Sequence, residues 1–281
     1  MSRELNVKVF EDTVKQYKTN ERLKESVSNT RKETKVYLET HSLCCVERDL
    51  CDTKIIVSKD RSFEAARKLS QDGYKNICVH NFASATNPGG GVTKGSSAQE
   101  ECLCRVSTLY DSLVQPMCME KFYNPHRKQS AVHNADCIYS PNVTVFKTDT
   151  SNPIQMEEKD WYNVNVVTCA APNLRPKTQN SFNRNEAKES VFVTDKELLK
   201  IHKERLQRIL DIAYANENDC VVIGAFGCGA FQNNPNIVAR ATKEVLLENK
   251  GKFKKIVVAV YCTPKDENNY NVFKRSLSSL E

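Results

Sequence analysis

The chain has 281 residues, of which 40% are hydrophobic and 27% charged, and its formal net charge is +6. These values are ordinary for a soluble globular protein that is long enough to bury a sizeable core. No apolar run approaches the length of a membrane-spanning helix, and the positive charge is too small and too scattered to indicate a nucleic-acid-binding surface.

Two further features concern location and cysteine chemistry. The first residues, MSRELNVKVFEDTVKQYK, are charged throughout and lack the apolar centre of a signal peptide, so we expect a cytoplasmic protein. Twelve cysteines include Cys44-Cys45 and Cys102-x-Cys104, but no C-x-x-C pair is present. We therefore expect reduced, mostly buried thiols, with no metal and no cofactor.

The N-terminal part is predicted to be mostly helical. Residues 7–31 carry a broken apolar stripe that predicts one helix or two, and Thr34 to Leu38 predicts a short strand. Nothing in this part carries recognisable chemistry. We expect residues 1–52 to form an extension packed on a main domain of residues 53–281.

The main domain begins with a strand–helix–strand pattern. Residues 53–58 and 76–82 are apolar strand candidates, and the helix between them is predicted to run from a capping Ser62 to Ser70, with Gly73 as its stop. This spacing predicts a βαβ unit, and the continuous apolar strands indicate a sheet that is covered on both faces.

A glycine loop follows the second strand. Gly89, Gly90 and Gly91 allow positive φ angles and a close approach of the backbone to a ligand. Ser97 and Glu100 match a capping box, which predicts that a helix begins at residue 98. The free N–H groups at such a helix start favour an anion.

The remaining elements alternate between strands and helices, which predicts a three-layer α/β fold. Residues 137–146 are interpreted as two short strands around a hairpin-like turn at Ser140-Pro141-Asn142, and the polar residues 174–193 as a lid or a mobile loop. Strands are predicted at 162–170, 220–224 and 254–261, and helices at 195–216, 235–248 and 268–280. Thr194 and Glu197 match a second capping box, at the start of the helix 195–216.

A second glycine loop, from Ala225 to Phe231, follows the strand at 220–224. On its own it could be a tight turn beneath an aromatic ring. Because ligands bind at strand ends in α/β sheets, the two loops together could grip a diphosphate from both sides, with Phe231 stacking on a sugar or a base. Neither a P-loop nor the dinucleotide fingerprint G-x-G-x-x-G is present.

The glycine loops carry a resemblance to a known family. The spacing of Gly89-Gly90-Gly91, seven residues and Gln99-Glu100-Glu101 resembles the GGG-x(6–8)-QEE signature of poly(ADP-ribose) glycohydrolases. The segments NFASATNPGGG, AQEE, IYSPNVTVF, AAPN and GAFGCGAFQNNP occur in the order of the microbial-type family, over about residues 53–262. The resemblance implies an α/β fold, specifically a three-layer α/β/α macrodomain-like sandwich with a mixed sheet, here carrying an N-terminal helical extension.

The resemblance also implies roles for single residues. Adjacent helical residues point about 100° apart, so Glu100 and Glu101 cannot flank one bond as a matched pair. Carried over from the family, Glu101 is the general acid and Glu100 the ribose anchor. The expected substrate contacts are Asn87, Gly89, Gly90, Gly91, Gln99, Gly227, Cys228, Gly229, Ala230 and Phe231.

Several alternatives stay open at this point. Glu100 and Glu101 could merely complete a helix cap, and His80 or His133 could pair with Cys102 or Cys228 as a nucleophile, although a core histidine is favoured for His80. The expected function is hydrolysis of poly(ADP-ribose), mainly from chain ends, by a monomer that releases ADP-ribose. The alternatives are a mono-ADP-ribosyl hydrolase acting on protein or nucleic acid, and a non-catalytic ADP-ribose-binding macrodomain.

Overall fold

The computed structural model describes residues 2–43, 48–179 and 184–280. The helices are α1 Arg3–Thr19, α2 Glu21–Glu33, α3 Ser62–Gln71, α4 Gln99–Val106, α5 Leu109–Leu113, α6 Pro116–Cys118, α7 Asn124–His126, α8 Asp195–Ala215, α9 Pro235–Glu248 and α10 Asn268–Leu277. The strands are β1 Lys35–Tyr37, β2 Lys54–Ser58, β3 Ile77–Ala83, β4 Cys137–Val145, β5 Tyr162–Ala170, β6 Cys220–Ile223 and β7 Lys255–Ala259.

The described strands form one mixed sheet in the order β1-β4-β5-β3-β6-β7-β2. From β5 to β2 the neighbouring strands run parallel, whereas β4 pairs antiparallel with β5 and with β1. The carboxyl ends of five neighbouring parallel strands therefore meet at one edge of the sheet. This edge is where an α/β sheet presents its ligand-binding loops.

The sheet separates two hydrophobic cores, which makes the fold a three-layer sandwich. Alternate residues of β3 point to opposite faces, so Val79 packs with α1 to α5 on one side and Cys78 packs with α8 to α10 on the other. The expected three-layer α/β/α fold is thus confirmed. None of the described helices is both long and apolar enough to cross a membrane.

The N-terminal residues form two helices, and they also complete the sheet. Phe10, Tyr17 and Leu23 are buried in the core shared with α3 to α5. Strand β1 adds an antiparallel edge next to β4, with Val36 opposite Ile138. The segment is therefore integrated into the sandwich, and a domain boundary at residue 52 stays a prediction.

The prediction of two short strands around a turn at residues 137–146 was wrong. Residues 137–145 form one continuous strand, because the step from Ser140 to Val143 spans three residues while its partner β5 advances by two, from Val166 to Val164. The extra residue is a β-bulge, and Asn142 at this place has a φ of 52°. The turn-forming residues thus bend a strand instead of reversing the chain.

The predicted helix caps Ser97 and Ser62 were also wrong. Helix α4 begins at Gln99 after Ala98, and no side chain caps it, so Ser97 is not the cap. Helix α3 starts at Ser62 itself, after Arg61. The predicted capping box of α8, by contrast, is confirmed, since the Thr194 hydroxyl accepts a hydrogen bond from the Glu197 amide.

The cysteines and the polar segment are described in part. The ten cysteines in the described residues are free thiols, and seven of them are buried. The Cys44-Cys45 pair lies outside the described residues, as do residues 180–183 of the predicted lid.

Candidate active site

The two glycine loops meet in one cavity. They follow β3 and β6, which are adjacent parallel strands, so both loops leave the sheet at the same edge. The cavity has a volume of about 490 Å³, a size that suits a small organic ligand. All of the predicted site residues except Gly89 and Cys228 line it.

The first glycine loop is packed tightly against the two acids. Gly89 and Gly90 have φ angles of 67° and 58°, which side chains disfavour. A Cβ on Gly90 would lie 2.6 Å from Glu101 Oε1 and 3.1 Å from Glu100 Oε2. A Cβ on Gly89 would lie 2.7 Å from the Tyr110 ring, because Gly89 faces the core and not the cavity.

Glu101 has one anchored oxygen and one free oxygen. Its Oε1 accepts a hydrogen bond from the Gly91 amide at 2.8 Å. Its Oε2 is buried and has no hydrogen-bond partner among the described residues. Burial raises the pKa of Glu101, against the Gly91 amide, which lowers it. The side chain therefore combines a fixed position with a carboxyl oxygen that can hold a proton.

Glu100 lies deeper and is held by different partners. Its Oε2 accepts from the Ser84 amide at 2.7 Å, and its Oε1 accepts from Asn81 Nδ2 at 3.3 Å. Burial raises the pKa of Glu100 well above its usual range, and the neighbouring Glu101 charge adds to this effect. The two carboxyl groups are thus held by different hydrogen-bond partners.

Gln99 fixes the start of α4 against the sheet. Its Oε1 accepts from the Phe82 amide at 2.8 Å, and its Nε2 donates to the His80 carbonyl at 2.7 Å and to the Ser62 hydroxyl at 3.0 Å. These bonds connect β3, α3 and α4. Gln99 lines the cavity, but a contact with substrate stays a prediction.

The second glycine loop is held in shape by a buried asparagine. Asn233 Nδ2 donates to the Pro172 carbonyl at 2.7 Å and to the Gly227 carbonyl at 3.2 Å, while its Oδ1 lies 2.8 Å from His202 Nε2. Gly227 has a φ of 78°, and a Cβ there would meet Ala171 at 2.7 Å. Around Gly229 a Cβ would contact nothing within 4 Å, so this part of the loop borders open space.

The cavity wall near Phe231 includes Arg175. The Arg175 guanidinium lies 5.7 Å from the centre of the Phe231 ring, and it donates to the Thr178 carbonyl at 2.7 Å. Cys228 lies outside the lining; its thiol faces the Phe226 carbonyl, and burial raises its pKa to about 12.

The described part of the polar segment reaches the first loop. Asn185 Nδ2 donates to Asn87 Oδ1 at 2.7 Å. Glu186, which is buried, lies 2.9 Å from His133 Nε2. The segment thus contacts the rim of the cavity, and opening or closing as a lid stays a prediction.

The sequence interpretation missed the far end of the cavity. Arg61 follows β2, and Tyr261 and Asn269 follow β7, and all three line the cavity. The Arg61 guanidinium covers the Tyr261 ring at 4.1 Å from its centre. Asp149, also in the lining, lies 3.9 Å from Arg61, and burial raises its pKa to about 6. The rule that ligands bind at strand ends could have identified Arg61 and Tyr261.

Burial disfavours a cysteine nucleophile. His80 is buried between the rings of Phe82 and Phe226, at 4.9 and 4.5 Å, and burial lowers its pKa to about 3. Burial raises the pKa of Cys102, so the thiolate is disfavoured. In the described residues, no group of three or more His, Cys, Asp and Glu side chains is arranged to hold a metal ion.

Comparisons with known proteins agree with this geometry. A family profile described as the microbial-type PARG catalytic domain matches residues 7–148. The structure resembles poly(ADP-ribose) glycohydrolase (PARG) from Thermomonospora curvata, with a TM-score of 0.81, 28% identity, and coverage of 97% of this chain and 99% of that chain. A search of curated proteins found no match.

Other similar structures contain bound ligands. The Thermomonospora curvata enzyme bound to the inhibitor ADP-HPD gives a TM-score of 0.78 at 28% identity, over 97% of this chain and 99% of that chain. The Deinococcus radiodurans enzyme in complex with ADP-ribose gives 0.74 at 31% identity, over 91% of this chain and 98% of that chain. Together with the family profile, these matches show that the chain belongs to the microbial-type poly(ADP-ribose) glycohydrolase family.

Proposed function

We propose that this chain is a poly(ADP-ribose) glycohydrolase, which hydrolyses the ribose–ribose O-glycosidic bond of poly(ADP-ribose) and releases ADP-ribose. The observation that carries the proposal is the state of Glu101. One oxygen is fixed by the Gly91 amide, while the other is buried in the cavity wall without a partner among the described residues. A general acid needs both a fixed position and a free, protonated oxygen.

The strand order supports an orientation for the substrate. The loops after β3, β6 and β7 follow one another along the sheet edge, and β2 comes last. The distal ribose then lies at the Gly90 loop beside Glu101, and the diphosphate lies at the amides of the Gly227 loop. The adenine reaches the aromatic and cationic surface of Tyr261 and Arg61, where a base can stack.

The two acids then have unequal roles. Glu101 in its neutral form protonates the leaving 2′-oxygen, and an oxocarbenium-like centre develops at C1″ of the bound ribose. The resulting Glu101 carboxylate takes a proton from the water that attacks C1″. Glu100 contacts ribose hydroxyls and fixes the sugar.

The direct test uses auto-modified, poly(ADP-ribosyl)ated protein as the substrate and measures free ADP-ribose. Hydrolysis from chain ends yields ADP-ribose from the start without short oligomers, and oligomers would contradict this mode. A mono-ADP-ribosylated protein is tested in parallel, and release from it alone would favour the mono-ADP-ribosyl hydrolase. Binding of ADP-ribose in calorimetry without any release would indicate a binding module.

The roles of the acids are tested with matched amide variants. Glu101→Gln preserves the shape of the side chain but removes the acid, so kcat is expected to fall by roughly 10²- to 10⁴-fold. Glu100→Gln is the control and is expected to raise KM more than it lowers kcat. Near-normal turnover by Glu101→Gln would refute the assignment of the acid. The monomeric state and the cytoplasmic location stay predictions from the sequence.

A further inference from the structure

Helix α1 packs against the first glycine loop. The loop continues from Gly91 through a 3-10 turn, Val92–Lys94, to Gly95, which has a φ of 77°. A Cβ on Gly95 would lie 2.2 Å from the Arg3 carbonyl oxygen, so the first turn of α1 and the loop are in direct contact.

One side chain of α1 is bonded to the loop backbone. Asn6 is buried, and its Nδ2 donates to the Gly95 carbonyl at 2.9 Å. The neighbouring Ser96 amide donates to the Gly91 carbonyl at 3.1 Å, and the Gly91 amide donates to Glu101 Oε1 at 2.8 Å. A short series of hydrogen bonds therefore leads from Asn6 to the acid.

A second contact reaches the other end of the loop. The Phe10 ring packs edge-on against Tyr110, with 4.9 Å between ring centres. The Tyr110 ring fills the space where a Cβ on Gly89 would be. Aromatic pairs of this kind hold a fixed mutual geometry, so α1 supports Gly89 through Tyr110 while Asn6 supports Gly95.

The same helix is attached to α4 independently of the loop. Thr13 is fully buried, and its hydroxyl donates to the Arg105 carbonyl at 2.6 Å. Lys147 Nζ donates to the Thr13 hydroxyl at 2.8 Å and to Asp12 Oδ2 at 2.6 Å. Helix α1 is thus a fixed element on which the loop rests.

We propose that Asn6 is a positioning residue for catalysis: through Gly95 and Gly91 it holds the amide that fixes Glu101. This inference rests on the proposed function. It assigns the first N-terminal helix a part in the reaction, although none of its residues lines the cavity.

The test compares two substitutions in one helix. Asn6→Leu retains the size of the side chain but removes the donor to Gly95. Asp12→Asn removes the ion pair with Lys147, a contact of α1 that does not involve the loop. Thermal unfolding of both variants reports how far each one loosens the helix.

Asn6→Leu is expected to lower kcat roughly five- to ten-fold, the effect of one lost hydrogen bond, with KM within about two-fold of wild type. A weaker Gly91 bond favours protonated Glu101, so the alkaline limb of the pH–rate profile moves to higher pH. Asp12→Asn should leave both kcat and that limb unchanged. The proposal would be overturned if kcat and the alkaline limb were unchanged in Asn6→Leu, or if both variants changed equally.

Two measurements keep the inference separate from the proposed function. The ¹³C signal of the Glu101 carboxyl, assigned with Glu101→Gln, reports its titration without turnover, so a raised midpoint in Asn6→Leu supports the inference even if wild type releases no ADP-ribose. If Asn6→Leu does not fold, Phe10→Leu tests the second contact of α1 with the loop, which runs through Tyr110. If the titration of Glu101 and kcat in Phe10→Leu equal those of wild type, the positioning role of α1 is refuted.

Discussion

Gly90→Ala is expected to disable the enzyme while leaving it folded. The added Cβ would lie 2.6 Å from Glu101 Oε1, whereas ordinary contact begins at 3.4 Å. The oxygen must therefore retreat by roughly 0.8 Å, which breaks its bond to Gly91. A displacement of this size in the proposed general acid is expected to cost about 100-fold in rate. The φ of 58° adds backbone strain of about 1 kcal/mol.

The control for this strain is Gly73→Ala. Gly73 has a φ of 88°, and a Cβ there meets nothing within 4 Å. Gly73→Ala should lose roughly 2 °C in Tm, as expected for a strain of about 1 kcal/mol in a chain of this size, and Gly90→Ala should lose more, because it also breaks the bond between Gly91 and Glu101. Release of ADP-ribose from poly(ADP-ribose) then separates them, because only Gly90→Ala should lose kcat. Equal kcat values in the two variants would refute the proposal that catalysis depends on the position of Glu101.

Three further outcomes follow from burial and stacking. The raised pKa of Glu100 means that stability is lost as pH rises from its unfolded pKa through its folded pKa, so Glu100→Gln should gain Tm over wild type at pH 8 but not at pH 4. Because the pKa of His80 is lowered to about 3, stability is lost as the pH falls below 6.5. The free energy of unfolding, measured in urea, should therefore fall between pH 7 and pH 4 by on the order of 3 kcal/mol less in His80→Leu than in wild type. Tyr261→Ala should weaken ADP-ribose binding in calorimetry about ten-fold, because it removes the ring on which the adenine is proposed to stack.

Each of these outcomes has a control. A Tm gain of Glu100→Gln that is equal at pH 4 and pH 8 would contradict the effect assigned to the buried carboxyl. An unchanged acid sensitivity of His80→Leu would show that other groups govern unfolding at low pH. For Tyr261→Ala, an equal loss of affinity for ribose 5-phosphate would place the defect outside the adenine end.

Local patterns in the sequence were sufficient for the elements that position the site. Apolar runs predicted β3, β5 and β6, and a serine- or threonine-type cap with a glutamate predicted α8, because periodicity and capping act within a few residues. The same reasoning failed where packing decides between local options. Pro141 and Asn142 favour a turn in isolation, but pairing with β5 retains them in a bulged strand.

The sequence alone singled out the groups that are proposed to carry the chemistry: three glycines, two adjacent acids and a second glycine loop after a strand. Only the tertiary structure decided how these groups are arranged. Burial leaves one oxygen of Glu101 free, strand order joins loops more than 100 residues apart in one cavity, and α1 rests against the loop through Asn6. Such relations depend on contacts between distant segments, which residue spacing does not encode.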